Sequence, residues 1–175
     1  MSNPTRTILS APTGAPLEPS GNPMLSGMGP AAYAQRSDKP DTTVHGEARI
    51  VPLRAAPGFF LNPEDPDPRG MSVIAADGLV AGTITEVWVD RAEAQPRYYE
   101  VAITGDGRVL LPATNVRIKA RRGEVNVKSI TASQFADVPK TKHPDLVTLR
   151  EEDMIQAYYA SGYLYALPGR MGPVL

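Results

Sequence analysis

The chain of 175 residues contains no cysteine, and this absence excludes several kinds of chemistry at once. Without thiols there can be no disulfide, no thiolate nucleophile, no iron–sulfur cluster and no cysteine-ligated zinc. Histidine is scarce as well, because His45 and His143 are the only two in the sequence. A multi-histidine metal site within one chain is therefore excluded too.

Long apolar runs and a net charge of one sign are also missing. No uncharged apolar run approaches the roughly 18–20 residues that a bilayer-crossing helix needs, and Met1–Ser10 lacks the apolar stretch of a secretory signal. The 18 Lys and Arg against 19 Asp and Glu give a net charge of −1. This balance argues against nonspecific nucleic-acid binding and against electrostatic docking on an anionic membrane. We expect a soluble chain that faces the cytoplasm.

Proline, in contrast, is concentrated near the start. Twelve of the 18 prolines lie in the first 70 residues, so this part cannot consist of long helices or central strands. Within Met1–Pro30 only Arg6 and Glu18 are charged. Disordered tails usually carry more charge, whereas a neutral Pro/Gly ribbon suits a segment that lies along another protein. We predict that residues 1–70 form an extended partner-wrapping segment, with a disordered tail as the alternative.

From Met71 onward the pattern changes to short strands separated by tight turns. Apolar or alternating runs predict strands at Met71–Ala75, Leu79–Val89, Arg97–Thr104, Arg108–Leu111, Val116–Ala120 and Glu124–Val127. Asp77-Gly78 is a strong hairpin signal, and Gly82 is a plausible bend point in the longest strand. Six short strands joined by tight turns predict a small antiparallel barrel, or a strongly bent sheet, over residues 71–130.

Two helices are predicted in residues 131–175. Thr131–Gln134 has the spacing of a capping box before a short helix that Pro139 ends, and Thr148–Glu151 has it before a longer helix. The longer helix carries an i, i+3, i+4, i+7 stripe of Ile155, Tyr158, Tyr159 and Gly162, which we expect to pack on the barrel. The predicted fold is mainly β, with an extended Pro/Gly-rich N-terminal segment and C-terminal α-helices.

Catalytic templates are absent from the sequence. There is no G-x-S-x-G elbow, no P-loop and no G-x-G-x-x-G motif. The acidic segment 62–70 departs from the EF-hand pattern because of its prolines and Arg69, so we interpret it as a rigid surface loop. A basic group could contact phosphates, although a solvated face is the simpler interpretation. Its members are Arg117, Lys119, Arg121 and Arg122.

Two groupings of polar residues are candidates for proton chemistry. The first comprises Asp38, Asp41, His45 and Glu47. The second comprises Glu86, Asp90, Glu93 and Arg97. Taken alone, each favours a solvated loop over a site. A histidine beside carboxylates is nevertheless a sensible proton collector, because its unperturbed pKa lies near neutral pH.

Several long motifs follow one another along residues 10–170. They are Pro19–Met24, Gly27–Tyr33 with Arg36 and Asp38, Ile50–Ala56, Asp65–Gly70, Val87–Asp90, Arg108–Pro112, Gln134–Pro139, Val147–Asp153 and Ala157–Ala166. In this order they resemble the H subunit of the purple-bacterial-type photosynthetic reaction centre. The cytoplasmic part of that family contains a PRC barrel, so the resemblance implies a PRC-type barrel over residues 71–130.

The resemblance implies a cap on the cytoplasmic face of the reaction-centre L and M subunits. Those two subunits hold the bacteriochlorophylls, bacteriopheophytins, quinones and non-haem iron, and the H subunit binds none of them directly. It covers the quinone end and supplies polar groups along the proton path to the secondary quinone. The implied protein is therefore a non-enzymatic subunit at the cytoplasmic face of the inner photosynthetic membrane, attached through protein contacts.

The resemblance also nominates individual proton-path residues. His45 matches one of two family histidines at the proton entry, and Glu47 replaces the second. A nearby family acid falls on Thr43. In the second grouping, Asp90, Glu93 and Arg97 match polar family positions near the path to the secondary quinone.

One departure from the family is large. The family normally begins with a single membrane-spanning helix, which this sequence lacks, so we expect a separate transmembrane anchor polypeptide, with a shortened chain as the alternative. Light-harvesting subunits are further candidate partners, and no nucleic acid is expected. Two rival functions are a PRC-barrel protein of ribosome maturation, whose basic group would contact RNA, and an autonomous small-molecule enzyme. The neutral charge and the flanking motifs disfavour the first rival, and the missing catalytic templates disfavour the second.

Overall fold

Seven strands and one α-helix make up the regular structure of the computed structural model, which describes Met24, residues 36–105 and residues 107–168. The strands are β1 (Ile50–Pro52), β2 (Ser72–Ile74), β3 (Val80–Asp90), β4 (Gln95–Ile103), β5 (Arg108–Pro112), β6 (Val116–Lys119) and β7 (Glu124–Val127). The helix is α1 (Leu149–Tyr165). Short 3₁₀ helices cover Leu53–Ala55, Ala113–Asn115, Ala120–Arg122 and Ser133–Asp137. No helix within these ranges is long and apolar enough to cross a bilayer.

The predicted extended ribbon Met1–Pro30 lies outside the described residues, apart from Met24, which is buried in the core. Its conformation stays a prediction. The residues after 168 also lie outside the described part of the chain.

The strands form one sheet in the order β5-β4-β3-β2-β7-β6. β3 spans 11 residues, which is long enough to pair with β2 near its start and with β1 at its end. The prediction of a mainly β fold is confirmed, with two differences from a small antiparallel barrel. The sheet is open, and β2 and β7 are parallel. Parallel neighbours need a long crossover connection, and the four strands β3 to β6 supply it.

β1 was not predicted, because it consists of three residues in a proline-rich region. β1 pairs with β3 outside the main strand order and is an edge strand, where the missing N–H of Pro52 is tolerated. The strand brings Ile50 opposite Asp90, at the end of β3. This pairing places residue 49 next to the loop that follows β3.

Gly82 has a packing role that differs from the predicted bend. A Cβ atom at this position would lie 2.2 Å from the carbonyl oxygen of Ala102 on the neighbouring strand β4. The close approach of the two backbones therefore requires glycine here.

The core contains buried side chains of both the sheet and α1. Its largest fully buried side chains include Trp88, Tyr98, Phe135, Tyr158 and Tyr159. The Tyr159 hydroxyl donates a hydrogen bond to the Leu110 carbonyl at 3.0 Å, so the helix is fixed to β5 by a polar contact as well. All four residues of the predicted helical stripe are buried, which confirms that this face packs on the sheet.

Only one of the two predicted C-terminal helices is an α-helix. The segment Ser133–Asp137 forms a 3₁₀ helix of five residues. Half of the expected capping box is present, because the Thr131 N–H donates to the Gln134 side chain at 2.9 Å. Pro139 follows too soon for a second turn, and short helical segments of this kind commonly adopt 3₁₀ geometry.

The capping box at the start of α1 is complete. The Thr148 hydroxyl accepts a hydrogen bond from the Glu151 N–H at 3.1 Å, and the Glu151 carboxylate accepts one from the Thr148 N–H at 2.9 Å. The Thr148 hydroxyl in turn donates to Asp38 at 3.0 Å, which ties the chain before β1 to the helix.

Replacing Thr148 with alanine is expected to lower the free energy of unfolding by about 1–2 kcal/mol, as typical N-cap losses do. The Thr148→Ser variant should retain most of the stability, because serine keeps the hydroxyl. Urea unfolding followed by circular dichroism measures both, with Thr114→Ala, an exposed threonine in a 3₁₀ helix, as the control. Equal losses in Thr148→Ala and Thr114→Ala would contradict a capping role.

Candidate functional site

Asp90 is the centre of a charged network at the end of β3. Its side chain is completely buried. The Arg49 Nε donates to both carboxylate oxygens at 2.9 and 3.0 Å, and Arg97 donates to one of them at 3.3 Å. The backbone N–H groups of Ala92 and Glu93 add hydrogen bonds of 2.9 and 3.2 Å. This buried carboxylate is therefore held between two arginines with all its acceptor directions in use.

The charge state of Asp90 follows from this environment. Burial acts to raise the pKa of its carboxyl group, but hydrogen bonds from Arg49 and from the Glu93 and Ala92 backbone outweigh it. The net result is a pKa below the usual aspartate value. Asp90 is ionised at neutral pH and supplies a fixed negative charge at this end of the sheet.

Arg49 links the buried carboxylate to the surface. Its guanidinium lies 3.2 Å from a carboxylate oxygen of Glu93, whose side chain is 54% exposed, and 3.6 Å from Asp41. The Gln95 side chain donates to the other Glu93 oxygen at 2.6 Å. A single arginine thus bridges an exposed acid and a buried one.

Arg97 links Asp90 to a second buried acid on α1. Its guanidinium lies 3.8 Å from Glu152, and the Tyr98 hydroxyl donates to the same Glu152 oxygen at 2.8 Å. Gln156 donates to the Tyr98 hydroxyl at 3.0 Å. The network therefore continues from the β3–β4 turn into the interface between sheet and helix.

Glu152 differs from Asp90 in its proton affinity. Burial raises the pKa of the Glu152 carboxyl group, and the opposing effects of Tyr98 and Arg97 do not cancel this, while Asp41 and Asp153 add to the increase. Glu152 consequently binds a proton more readily than Asp90.

His45 and Glu47 lie on a separate exposed turn between Thr42 and Ala48. Glu47 is 3.6 Å from Arg91, whose guanidinium also donates to the Ala48 carbonyl. The Arg91 N–H donates to the Arg49 carbonyl at 2.8 Å. The turn is adjacent to the Asp90 network, but among the described residues no hydrogen bond or ion pair joins His45 to it.

Glu86 lies in a different cluster from Asp90, Glu93 and Arg97, so the structure separates the four residues of the second polar grouping. Its carboxylate accepts hydrogen bonds from the Val87 N–H at 2.9 Å and the Arg54 N–H at 3.2 Å. Arg54 also binds the buried Glu100 at 3.0 Å, which forms a second cluster on the sheet.

Within the described part of the chain, no acidic or histidine cluster has the form of a metal site.

Sequence reasoning missed four members of the Asp90 network and its surroundings, namely Arg49, Arg91, Tyr98 and Glu152. The pairing of β1 with β3 brings Arg49 to Asp90, and no local signal predicts that pairing. Glu152 follows an N-cap, where an acidic residue is expected merely to favour the helix dipole. Its burial against Tyr98 is a consequence of how the helix docks.

The two regions that meet at Asp90 each match a known family. Residues 4–55 match the family model of the photosynthetic reaction centre H-chain N-terminal region. Residues 64–131 match that of the PRC-barrel domain. Together the two matches support an H-subunit-type protein. In this H-subunit-type protein, Arg49 comes from the H-chain N-terminal region and Asp90 from the PRC-barrel domain, so the network joins the two. The resemblance inferred from the motifs is confirmed.

Proposed function

We propose that this H-subunit-type chain covers the quinone side of the L and M subunits and supports proton delivery to the secondary quinone. The H-chain match implies association with L and M in a membrane-associated complex whose cofactors are held by other subunits. It also suggests a structural, non-catalytic subunit. The observation that carries the proton role is the continuous line from the exposed Glu93, through Arg49, Asp90 and Arg97, to the buried Glu152.

One end of the sheet is the proposed contact with the quinone side. β3 ends at Asp90, β4 begins at Gln95, and β1 begins at Ile50, so all three strands meet there. Because proton donors to a buried quinone must lie close to it, we place this end against L and M. The cytoplasmic location and the partner-wrapping role of residues 1–70 belong to the same proposal.

The proposed roles follow from exposure and charge. His45 and Glu47 collect protons at the surface, and Glu93 is an inner member of the route at the end of the sheet placed against L and M. Asp90 stays ionised, and its negative charge favours a proton along the route. Arg97, which is ion-paired with Asp90, partly neutralises that charge. Glu152 is the inner group whose raised pKa lets it hold a proton until the quinone becomes negative.

The double variant His45→Ala, Glu93→Gln tests the proposal in the assembled reaction centre. The first electron transfer to the secondary quinone delivers no proton to it and should stay nearly unchanged. The second, proton-coupled transfer should slow about tenfold, less than the roughly 10²–10⁴-fold that a positioned acid–base group contributes, because the other acids of the route remain. Flash-induced absorbance kinetics at pH 6–9, a window around the roughly 6.5 reference pKa of histidine, measures both steps.

The matched control is His143→Ala, Glu64→Gln, which removes the same two residue types from other exposed positions. Formate or imidazole in the buffer should partly restore the second transfer in the test variant, because small acids bypass a lost proton collector. An unchanged second transfer across the whole pH window would leave the chain as a structural cap only.

A further inference from the structure

A basic hairpin at one edge of the sheet has no role in the network described above. It consists of β6, the turn Ala120–Gly123 and β7, and β6 is the last strand of the sheet order. Four exposed cations lie on it, namely Arg117, Lys119, Arg121 and Arg122.

Among the described residues, these four cations lack the carboxylate partners that most other arginines of the chain have. Seven arginines form ion pairs with carboxylates: Arg36, Arg49, Arg54, Arg69, Arg91, Arg97 and Arg108. Within the part of the chain that the structure describes, no carboxylate oxygen lies within 4.0 Å of a hairpin cation. Because unneutralised like charges repel each other, their clustering favours an external anion.

The local charge contrasts with that of the whole chain. Residues 113–131 contain five basic residues, the four hairpin cations and Lys128, against the single acid Glu124, which gives a net charge of +4. The chain as a whole has a net charge of −1. The net charge of the whole chain therefore does not describe this edge of the sheet, which is strongly positive. This edge can dock electrostatically on an anionic surface although the chain as a whole is nearly neutral.

An apolar groove adjoins the hairpin. Ile118 of β6 lines it together with Phe59, Phe60 and Leu61, and its volume is about 600 Å³. Phe60 is 81% exposed at its rim. Exposed aromatic rings beside basic side chains are typical of surfaces that contact the headgroup region of a bilayer.

The groove places this surface near the end of the sheet that carries Asp90, because Ala94, Gln95 and Pro96 of the β3–β4 connection line it together with Ile118. Along the sheet, Ser72 of β2 pairs with both Glu124 and Thr83, so β7 begins level with Thr83, seven residues before Asp90. The turn Ala120–Gly123 precedes β7 and therefore lies on the Asp90 side of that level.

We infer that the basic hairpin and Phe60 bind the anionic phospholipid headgroups of the membrane that holds the complex. The inference rests on the proposed function for its orientation, since the end of the sheet that faces the quinone side also faces the membrane plane. A bilayer surface offers the two things this edge fits, a layer of phosphates and an apolar region directly beneath it.

Vesicle binding by the isolated full chain tests the inference. We expect binding to vesicles of phosphatidylglycerol and phosphatidylcholine in equal parts, weakening with salt, and none to phosphatidylcholine alone. Arg121→Gln with Arg122→Gln should weaken the binding about thirtyfold, because each basic residue near an anionic surface contributes roughly fivefold. The control Lys39→Gln with Lys140→Gln removes the same charge from exposed positions outside the hairpin and should change binding less than threefold.

A spectroscopic readout tests the position of Phe60 independently. In Phe60→Trp the new indole should shift its emission to shorter wavelength with anionic vesicles, while the single native tryptophan, Trp88, is buried and contributes a constant signal. Equal weakening by the two double variants, or no shift at residue 60, would overturn the inference. So would tighter binding to a single-stranded RNA oligonucleotide that the hairpin variant abolishes, because it would assign the edge to nucleic acid.

The vesicle assay contains no L or M subunit. A failure there leaves the proton-delivery proposal standing, and a failure of the electron-transfer test does not affect the vesicle result.

Discussion

Replacing Gly162 with alanine is expected to destabilise the protein by about 3 kcal/mol or more, at the upper end of overpacking losses. A Cβ atom at this position would lie 2.4 Å from the Ser129 carbonyl oxygen and 2.6 Å from the Ile130 side chain. Since the nearest atom belongs to the backbone, the contact cannot be relieved by a side-chain rotation. Helix α1 would have to move away from the sheet, and its buried tyrosines would lose packing.

Helix propensity alone gives the opposite sign, because alanine in a helix is favoured over glycine by about 1 kcal/mol. The control Ala160→Gly, on an exposed position of the same helix, should lose only that amount. Guanidinium unfolding of the three proteins measures both effects. A Gly162→Ala protein more stable than the original would show that α1 does not pack closely on residues 129 and 130.

Replacing Glu100 with glutamine is expected to lower the free energy of unfolding by about 2–4 kcal/mol. The Glu100 carboxylate is buried and accepts hydrogen bonds from Arg54 at 3.0 Å, Thr85 at 2.8 Å and Trp88 at 3.4 Å. Removing one partner of a buried ion pair typically costs about 3–5 kcal/mol. The expected loss is somewhat smaller because the Arg54 side chain is 36% exposed, so water partly compensates it.

The pH dependence gives this prediction a second test. Burial acts to raise the pKa of Glu100, but hydrogen bonds from Arg54 and Thr85 outweigh it, and the pKa lies below the usual glutamate value. A carboxyl group with a lowered pKa stabilises the fold above its unfolded pKa of about 4.3, and the stabilisation is lost as the pH falls through the folded value.

The difference in stability between the original protein and Glu100→Gln should therefore be full at pH 7 and shrink below about pH 4. Urea unfolding at a series of pH values measures it, with the exposed Glu64→Gln as the control. A difference that is independent of pH would mean that packing, not charge, is responsible for the loss.

Arg54 and Arg49 have a shared structural role. Both lie in the region that matches the H-chain N-terminal model, and each binds a buried carboxylate of the PRC-barrel region, Glu100 or Asp90. Two ion pairs, together with the pairing of β1 and β3, thus fix the N-terminal part to the sheet. The proton-path candidates are positioned by the same contacts that hold the two parts together.

Much of the fold could be predicted because its signals are local. The glycine turn at Asp77-Gly78 and the apolar or alternating runs located six of the seven strands, with every end correct to within two residues. Thr148 and Glu151 three residues apart defined the start of α1, and the helical stripe defined its buried face. In each case the interacting residues are neighbours in sequence, so the pattern itself contains the geometry.

The candidate site could be predicted only in part. Asp90, Glu93 and Arg97 lie within eight residues of each other, and the structure brings them together around one carboxylate. Glu86 also lies nearby in sequence but joins the Glu100 cluster instead. His45 lies on the neighbouring turn, and its role in proton entry stays a prediction.

Six of the seven strands, the cap of α1, the family resemblance and the exclusion of cysteine chemistry follow from residue types and short spacings alone. Three features depend instead on the tertiary structure: the sheet is open, Arg49 and Glu152 belong to the Asp90 network, and Ile118 of the hairpin shares a groove with the β3–β4 connection. Those facts depend on which distant strands pair and in which direction they run. Long-range pairing depends on packing over the whole chain, so no short stretch of residues specifies it.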